Sequence, residues 1–292
     1  MITITSTYRS SGEWLRGNLH SHTTLSDGTH PAREVIADYE SRGYDYLAIS
    51  DHDAFVDPDA HREHTTMVLL PAVEVTALGP HILHIGTTEI VEPREDRQTV
   101  IDAIAAQGAF AILNHPNWQS HYNHFSQELM EQLQGYVGIE IYNGVIERLQ
   151  GIPLATDRWD RLLSQGRRVW GFGTDDSHRP EDVARSWSTV QVDERTPEAI
   201  IEALRTGRFY ASTGVTIQTI ETTENTIFTA ASDAQRIRLI SDYGVIQKTV
   251  DSSGATFRLP DDLIYASKTT YVRVEYYGQG GRMAWTQPFF LS

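Results

Sequence analysis

Residues 17–30 read GNLHSHTTLSDGTH and hold three histidines and one aspartate among glycines and small hydroxyl side chains. A buried strand does not tolerate so many unpaired polar atoms, and a helix surface would scatter them. The stretch follows an apolar strand pattern, and residues two apart at a strand end point to the same side. His20 and His22 have this spacing, which suits two ligands of one metal ion.

The composition of the 292-residue chain limits its function. The net charge of −15 repels polyanions, which argues against bulk nucleic-acid binding. The chain has no cysteine, so histidine and carboxylates are its only strong metal ligands. We find neither a signal-peptide pattern nor an apolar run of membrane-spanning length, and we expect a cytoplasmic protein without a membrane partner.

The hydrophobic pattern of the sequence changes at residue 208. Through residue 207, short apolar runs such as YDYLAIS and GIEIYN alternate with amphipathic stretches such as PAREVIADYESRG, as in repeated βα units around a mostly parallel sheet. From residue 208, segments such as TYVRVEYYG show β-branched and aromatic alternation. The sequence therefore predicts an α/β domain over 1–207 and a small antiparallel, sandwich-like β domain over 208–292.

Histidine or a carboxylate ends most of the predicted strands of the first domain. In closed or nearly closed parallel sheets, groups at the carboxyl ends of the strands converge on one pocket. So many imidazoles and carboxylates together are costly unless divalent cations neutralise them. We therefore infer a multinuclear metal centre from the residues at these strand ends: His20, His22, His52, Glu74, His81, His84, His115, Asp176 and His178.

Five motifs together resemble the polymerase and histidinol phosphatase (PHP) superfamily of metallohydrolases. They are NLHSHTTLSDG (18–28), ISDHD (49–53), VEVT (73–76), NHPNW (114–118) and GTDDSH (173–178). The endings GRFYASTG (207–214) and AWTQPFFL (284–291) are similar to a branch that includes carbaryl-hydrolase-like proteins. The resemblance implies a distorted (β/α)7 barrel and two or three divalent ions of zinc, manganese or iron.

The resemblance also implies a ligand for each position. One metal would be held by His20, His22 and Asp176, and Glu74 would bridge it to a second metal. His115 and a histidine of the fourth strand would complete the second metal, and Asp27, His52 and His178 would hold a third. His81 and His84 both qualify as the fourth-strand ligand, and we favour His81 from its distance to NHP.

Some family members have histidine where this chain has Asp27. The aspartate adds an oxygen donor, which shifts preference toward iron or manganese over zinc. With three divalent ions, the proposed ligands would leave a net positive site that attracts a phosphate dianion.

The leading function is therefore hydrolysis of a small-molecule phosphate mono- or diester, with a metal-bridging hydroxide as nucleophile. Glu74, Asp176 and His178 are the expected catalytic residues. A carboxyl or carbamate ester hydrolase at the same centre is the first alternative, because a Lewis acid also polarises a carbonyl. A metal-stabilised binding domain without turnover is the second.

Candidate substrate contacts lie in loops near the predicted pocket. The loop after the fifth strand, NWQSHYNHFS, would lie over the pocket, where its side chains contact substrate or only pack. Arg179 is a candidate phosphate clamp, or pairs with Glu181 or Asp182. We expect the β domain to pack on the first domain or on a neighbouring subunit. The second arrangement would make the protein a homo-oligomer. The substrate-binding candidates are Asn117, Trp118, His121, Asn143 and Arg179.

Overall fold

The computed structural model describes residues 2–119 and 121–292. The strands are β1 (Ile4–Thr5), β2 (Glu13–Asn18), β3 (Tyr46–Ile49), β4 (Val68–Val75), β5 (Ile82–Ile85), β6 (Phe110–Leu113), β7 (Gly138–Asn143), β8 (Trp170–Thr174), β9 (Trp187–Val192), β10 (Phe209–Ser212), β11 (Thr219–Thr222), β12 (Thr226–Ala230), β13 (Ala234–Ser241), β14 (Val245–Val250), β15 (Gly254–Arg258), β16 (Tyr271–Gly278), β17 (Met283–Thr286) and β18 (Phe289–Leu291). The α-helices are α1 (Ala32–Ser41), α2 (Arg97–Ala106), α3 (Gln127–Gln132), α4 (Thr156–Ser164) and α5 (Pro197–Arg205). Short 3-10 helices occupy Pro58–Ala60, Arg62–His64, Gly144–Arg148, Pro180–Asp182, Asp242–Gly244 and Gln279–Gly281.

Helix starts follow local capping chemistry. The Asp96 carboxylate accepts from the Gln98 amide at the start of α2, and the Thr196 hydroxyl accepts from the Ala199 amide at the start of α5. Each cap satisfies a backbone donor that lacks an intrahelical partner. Pro197, at the first position of α5, has no amide hydrogen to leave unpaired. The amphipathic stretches predicted from sequence thus form helices at these positions.

One large mixed sheet dominates the fold, and part of it is parallel. Strands β2, β3 and β4 pair in parallel, as do β6, β7 and β8. The α/β class with a parallel-rich sheet and a C-terminal antiparallel portion is therefore confirmed. The expectation of a mostly parallel arrangement needs correction at two strands, since β5 is antiparallel to both β4 and β6, and β9 is antiparallel to β2.

The predicted barrel is supported only in part by the strand pairing. The sheet order runs from β9 through β2, β3, β4, β5, β6 and β7 to β8. Just after β2 and β8, an isolated parallel bridge joins Ser21 to Ser177. The Ser188 hydroxyl also donates to the Gly173 carbonyl at 3.1 Å. These contacts bring β8 near β2 and β9 without a continuous ladder.

Most of the C-terminal strands extend the same sheet, and three form a second sheet. Strand β10 pairs with β9 on one side and with β17 on the other, both antiparallel. Strands β13, β14, β16 and β18 continue the antiparallel portion, and β1 pairs with β18. A second sheet of β11, β12 and β15 packs beside it around Ile227 and Phe257, which are fully buried.

His84 lies on β5 with its ring fully buried, and neither ring nitrogen has a hydrogen-bond partner among the described residues. Burial lowers its pKa to about 4. Because the unfolded chain binds this proton near pH 6.5, the stability due to neutral His84 is full above that pH and is lost as the pH falls toward 4.

We expect wild-type protein to lose about 2 kcal/mol more of its free energy of unfolding between pH 7.5 and pH 5 than a His84→Leu variant does. Urea unfolding in chelator at both pH values measures the difference. Equal losses in the two proteins would contradict the assignment of a neutral, buried ring.

Every helix in the part of the chain that the structure describes is too short or too polar to cross a lipid bilayer.

Candidate metal centre

The nine residues expected as metal ligands come together at one end of the large sheet. They form four overlapping groups of three or four residues, and the ligand atoms within each group lie within 4.8 Å of one another. The structure includes His81, just before β5, in this cluster. The ring of His84, on β5, belongs to none of these groups. The groups are His20, His22 and Asp176; His20, Glu74 and His115; His52, Glu74 and His81; and His22, Asp27, His52 and His178.

Glu74 is the central carboxylate of the cluster. It is fully buried near the end of β4, and its two oxygens face four imidazoles. The closest nitrogen is His52 Nδ1, 2.7 Å from Oε2. Three further nitrogens lie near Oε1, at distances of 3.2 Å for His20, 3.2 Å for His81 and 3.3 Å for His115. One carboxylate thus contacts ligands of all three predicted metals, which suits a bridging ligand.

Asp176 closes the side of the cluster next to β8. Its Oδ1 lies 3.0 Å from His22 Nε2 and 3.2 Å from His20 Nε2. The backbone at Asp176 has a φ of +55°, and His115 has a φ of +29°. Non-glycine residues in this left-handed region are uncommon and cost about 1–3 kcal/mol each. These two predicted ligands are thus held in strained backbone, as are six other non-glycine residues of the described chain.

Asp27 forms the outer corner of the centre. Its carboxylate Oδ1 lies 3.3 Å from His178 Nε2 and 3.4 Å from His52 Nε2. Hydrogen bonds from His178 and His52 hold the pKa of Asp27 well below its usual range. The side chain is 56% exposed, so this corner faces solvent while Glu74 and Asp176 are buried.

The cluster suits divalent cations because several of its buried nitrogen and oxygen atoms have no hydrogen-bond partner among the described residues. His20 Nε2, His22 Nδ1, His115 Nδ1 and Glu74 Oε2 are buried without hydrogen-bond partners among the described residues. Although burial opposes the charged forms, the imidazoles lower the pKa of Glu74, and the carboxylates raise the pKa of His20. Cations compete with protons for such atoms, so metal binding here releases protons.

Two aspartates beside the ligands fix the loops that position them. The Asp51 carboxylate accepts hydrogen bonds from the Thr23 amide at 2.8 Å and from the Ser26 hydroxyl at 2.5 Å, which bends the segment after His22. The Asp175 carboxylate accepts from three consecutive amides, those of residues 184–186. Both carboxylates shape turns beside the ligands, in the way that supporting carboxylates position metal-binding residues.

Glu140 is a functional candidate that the sequence reasoning missed. It lies on β7, is 1% exposed, and its Oε1 is 2.7 Å from His20 Nδ1. The same carboxylate accepts hydrogen bonds from the His115 amide and the Thr174 hydroxyl, both at 2.6 Å. A carboxylate on the far nitrogen of a metal-ligating histidine fixes its ring and raises its basicity. The signal was a glutamate inside the apolar strand GIEIYN.

We expect Glu140→Gln to weaken metal affinity and activity by about 10- to 100-fold, because an amide cannot both fix His20 and supply negative charge. Metal titration of the apoprotein measures the change. The conservative variant Glu147→Gln, at an exposed position beyond β7, is the control. Unchanged affinity in Glu140→Gln would exclude this role.

His124 is a second residue that the structure adds to the cluster. Its Nε2 accepts a hydrogen bond from the His81 amide at 2.9 Å, and its ring packs edge-on against His81. Its nitrogen also lies within 4.8 Å of those of His81 and His115. Burial, followed by the charges of His115 and His81, lowers the pKa of His124 to about 2, so the ring stays neutral.

The substrate-contact candidates separate into two sets. Trp118 and Arg179 line the cavity over the metal cluster, and the Trp118 ring packs on His81 and His115. Asn143 is buried and donates to Glu140 and Asp176, so it supports the carboxylates. Asn117 bonds Arg158, Asp157 and the Leu154 carbonyl. His121 is exposed on the loop that follows Trp118.

A cavity of about 330 Å³ opens directly over the cluster. Its wall includes metal-centre residues, the apolar side chains of Val145, Ile146 and Leu149, and two guanidinium groups. Arg148 pairs with Asp182 at 2.7 Å, which leaves Arg179 without a carboxylate within 4.0 Å among the described residues. Asp182 is therefore paired with Arg148 and not with Arg179, which was the predicted alternative.

A solved structure has a fold similar to that of this chain. It is a two-domain protein from Bacteroides vulgatus containing a predicted PHP-like metal-dependent phosphoesterase, with a TM-score of 0.57 and 17% identity over 99% of this chain and 90% of that chain. This chain has the PHP-like fold. The likeness confirms the PHP-like fold that the five motifs indicated, and the match spans both the α/β part and the C-terminal strands.

Two further solved structures align with part of this PHP-like chain at lower similarity. An amidohydrolase from Chromobacterium violaceum is 15% identical, with a TM-score of 0.47 over 66% of this chain and 96% of that chain. A lesion-specific endonuclease from Pyrococcus furiosus is 14% identical, with a TM-score of 0.45 over 66% of this chain and 56% of that chain. No family model and no curated protein matches the sequence.

Proposed function

We propose that this chain is a metal-dependent phosphoesterase that hydrolyses small-molecule phosphate esters. The observation that supports it most is the position of Glu74, whose two oxygens face nitrogens of four histidines at 2.7 to 3.3 Å. Such a buried, shared carboxylate among unpaired imidazole nitrogens matches the donor set of a multinuclear hydrolase.

The assigned ligands divide over three ions of manganese, iron or zinc. One would lie between His20, His22 and Asp176, a second between Glu74, His81 and His115, and a third between Asp27, His52 and His178. When bound, these ions supply Lewis acidity and lower the pKa of coordinated water. The oxygen of Asp27 favours manganese or iron over zinc.

The chain's own residues would orient the substrate. Arg179, which has no acidic partner within 4.0 Å among the described residues, is available for a phosphoryl oxygen at the cavity wall. Trp118 and the apolar wall at residues 145–149 exclude water from the opposite side. In the net reaction the bond from phosphorus to the ester oxygen breaks, a bond from phosphorus to a water oxygen forms, and a water proton goes to the leaving oxygen.

We further propose that residues 1–207 act as the catalytic unit, a distorted (β/α)7 barrel, and that residues 208–292 form a β unit that supports it. The continuous ladder from β9 through β10 to β17 supports a fixed docking of the two units. We infer that the substrate is a small molecule, since the cavity of about 330 Å³ falls at the low end of the ~300–1,000 Å³ typical of ligand pockets.

The test combines metal analysis with a substrate screen. Purified protein loaded with manganese, iron or zinc is assayed against phosphomonoesters, phosphodiesters, and aryl or carbamate esters. We expect two or three ions per chain and turnover of phosphate esters. Activity confined to carboxyl or carbamate esters would replace the proposal with the first alternative, and full metal loading without any turnover would favour a binding protein.

A further inference from the structure

A second cavity adjoins the one over the metal cluster. It has a volume of about 300 Å³ and lies between α1 and the segment 177–183. His178 and Arg179 line both cavities. The Thr29 amide and hydroxyl donate to the His178 carbonyl at 2.8 and 3.0 Å, which fixes the backbone at the residues that the two cavities share. A ligand that occupies both cavities therefore lies beside His178 and Arg179.

The second cavity has a chemistry that differs from that of the first. Val35, Pro180 and Val183 give it an apolar wall, and exposed Ala37 of α1 lies at its edge. Its polar rim carries groups of both signs: Glu34 lies 3.6 Å from His30, and Asp38 is paired with Arg42 at 3.0 Å. An uncharged apolar group would be desolvated favourably against the apolar wall.

Arg179 is placed to bind a group that joins the two cavities. Its guanidinium has no carboxylate within 4.0 Å in residues 2–119 and 121–292, since Asp182 pairs with Arg148. A phosphoryl group at the metal cluster satisfies such a cation with a charge-assisted hydrogen bond. The substituent on that phosphoryl group then has the second cavity as the nearest apolar space.

We propose that the second cavity binds the leaving group of the substrate, an uncharged apolar alcohol or phenol, while its phosphoryl group lies at the metal cluster. This inference rests on the proposed function for the identity of the head group. It narrows the substrate to phosphomonoesters of apolar alcohols or phenols.

Binding of two phosphonates tests the proposal without turnover. Manganese-loaded protein is titrated with phenylphosphonate and with methylphosphonate, which share a head group and differ in the apolar substituent. We expect phenylphosphonate to bind at least tenfold tighter to the wild type. In Ala37→Trp, where the indole fills the cavity, we expect this preference to fall below twofold with methylphosphonate affinity unchanged.

Ala105→Trp is the matched control, because Ala105 is an exposed alanine on α2, far from either cavity lining. It should keep the wild-type preference. Equal binding of the two phosphonates by the wild type, or an unchanged preference in Ala37→Trp, would overturn the inference. Turnover of phenyl and methyl phosphate is measured in parallel: turnover without the binding preference refutes only this inference, and the preference without turnover refutes only the proposed function.

Discussion

Glu74→Gln is expected to lose at least one metal ion per chain and to reduce kcat/KM by about a thousandfold or more. The substitution keeps the shape of the side chain and removes one negative charge from among four imidazoles. Lewis-acid stabilisation by one metal is worth several kcal/mol, and about 4 kcal/mol corresponds to a thousandfold change in rate. Elemental analysis and steady-state kinetics on the metal-loaded variant measure both effects.

The control for this variant is Glu221→Gln, which makes the same change at an exposed position on β11. It should keep wild-type metal content and activity. Circular dichroism in chelator separates loss of metal from loss of fold, since both variants should give the wild-type spectrum. A Glu74→Gln protein with full metal content and full activity would refute the bridging assignment.

Much of this centre was predictable because the ligands occupy strand ends. The apolar runs 44–50, 68–76, 110–114 and 169–174 contain β3, β4, β6 and β8, and the motifs after them meet at one edge. A sheet brings strand ends together whatever the loops do, so residues at those ends are close in space without any knowledge of loop geometry.

The direction of β5 was not predicted, although the sequence contained the information. Only residues 76–81 separate β4 from β5, which is too short for the crossover of a dozen or more residues that parallel strands need. An apolar run such as ILHIG looks the same in either direction, so its hydrophobic pattern alone does not distinguish the two.

Glu140 and His124 were missed or left open for different reasons. Glu140 lies within a predicted apolar strand, where a lone acid is costly unless paired, and that cost was the available signal. His124 lies eleven residues after the end of β6, and its contact with the His81 amide depends on the path of an irregular loop. Loop paths depend on many weak contacts that a sequence pattern does not specify.

Residues 1–207 and 208–292 are joined through a shared sheet. The change at residue 208 is real in composition, yet β10 joins the sheet of the first part through β9. Packing across this junction includes an ion cluster deep in the interior. Asp160 on α4 and Arg273 on β16 form two hydrogen bonds, at 2.8 and 2.7 Å, with both side chains at most 6% exposed.

Arg273→Met is expected to lower the free energy of unfolding by about 3–5 kcal/mol, the usual cost of removing one partner of a buried ion pair. The Arg273 guanidinium also lies 2.7 Å from Glu275 Oε1, so its loss leaves two buried carboxylates without their cation. Tyr271 still donates to Asp160 Oδ1 at 2.8 Å, which compensates only in part. Urea unfolding followed by tryptophan fluorescence measures the change.

The matched control is Arg236→Met, which breaks the exposed pair with Asp251, whose side chains are 45% and 66% exposed. Exposed pairs contribute about 0–1 kcal/mol, so this variant should stay close to wild type. Replacing Asp160 by asparagine in the Arg273→Met background removes one of the two unpaired charges and should recover part of the loss. If Arg273→Met were no less stable than Arg236→Met, the buried cluster would not hold α4 against the C-terminal strands. The docking of the two units would then have to depend on the ladder from β9 through β10 to β17 and on the apolar contacts around Trp159 and Tyr271.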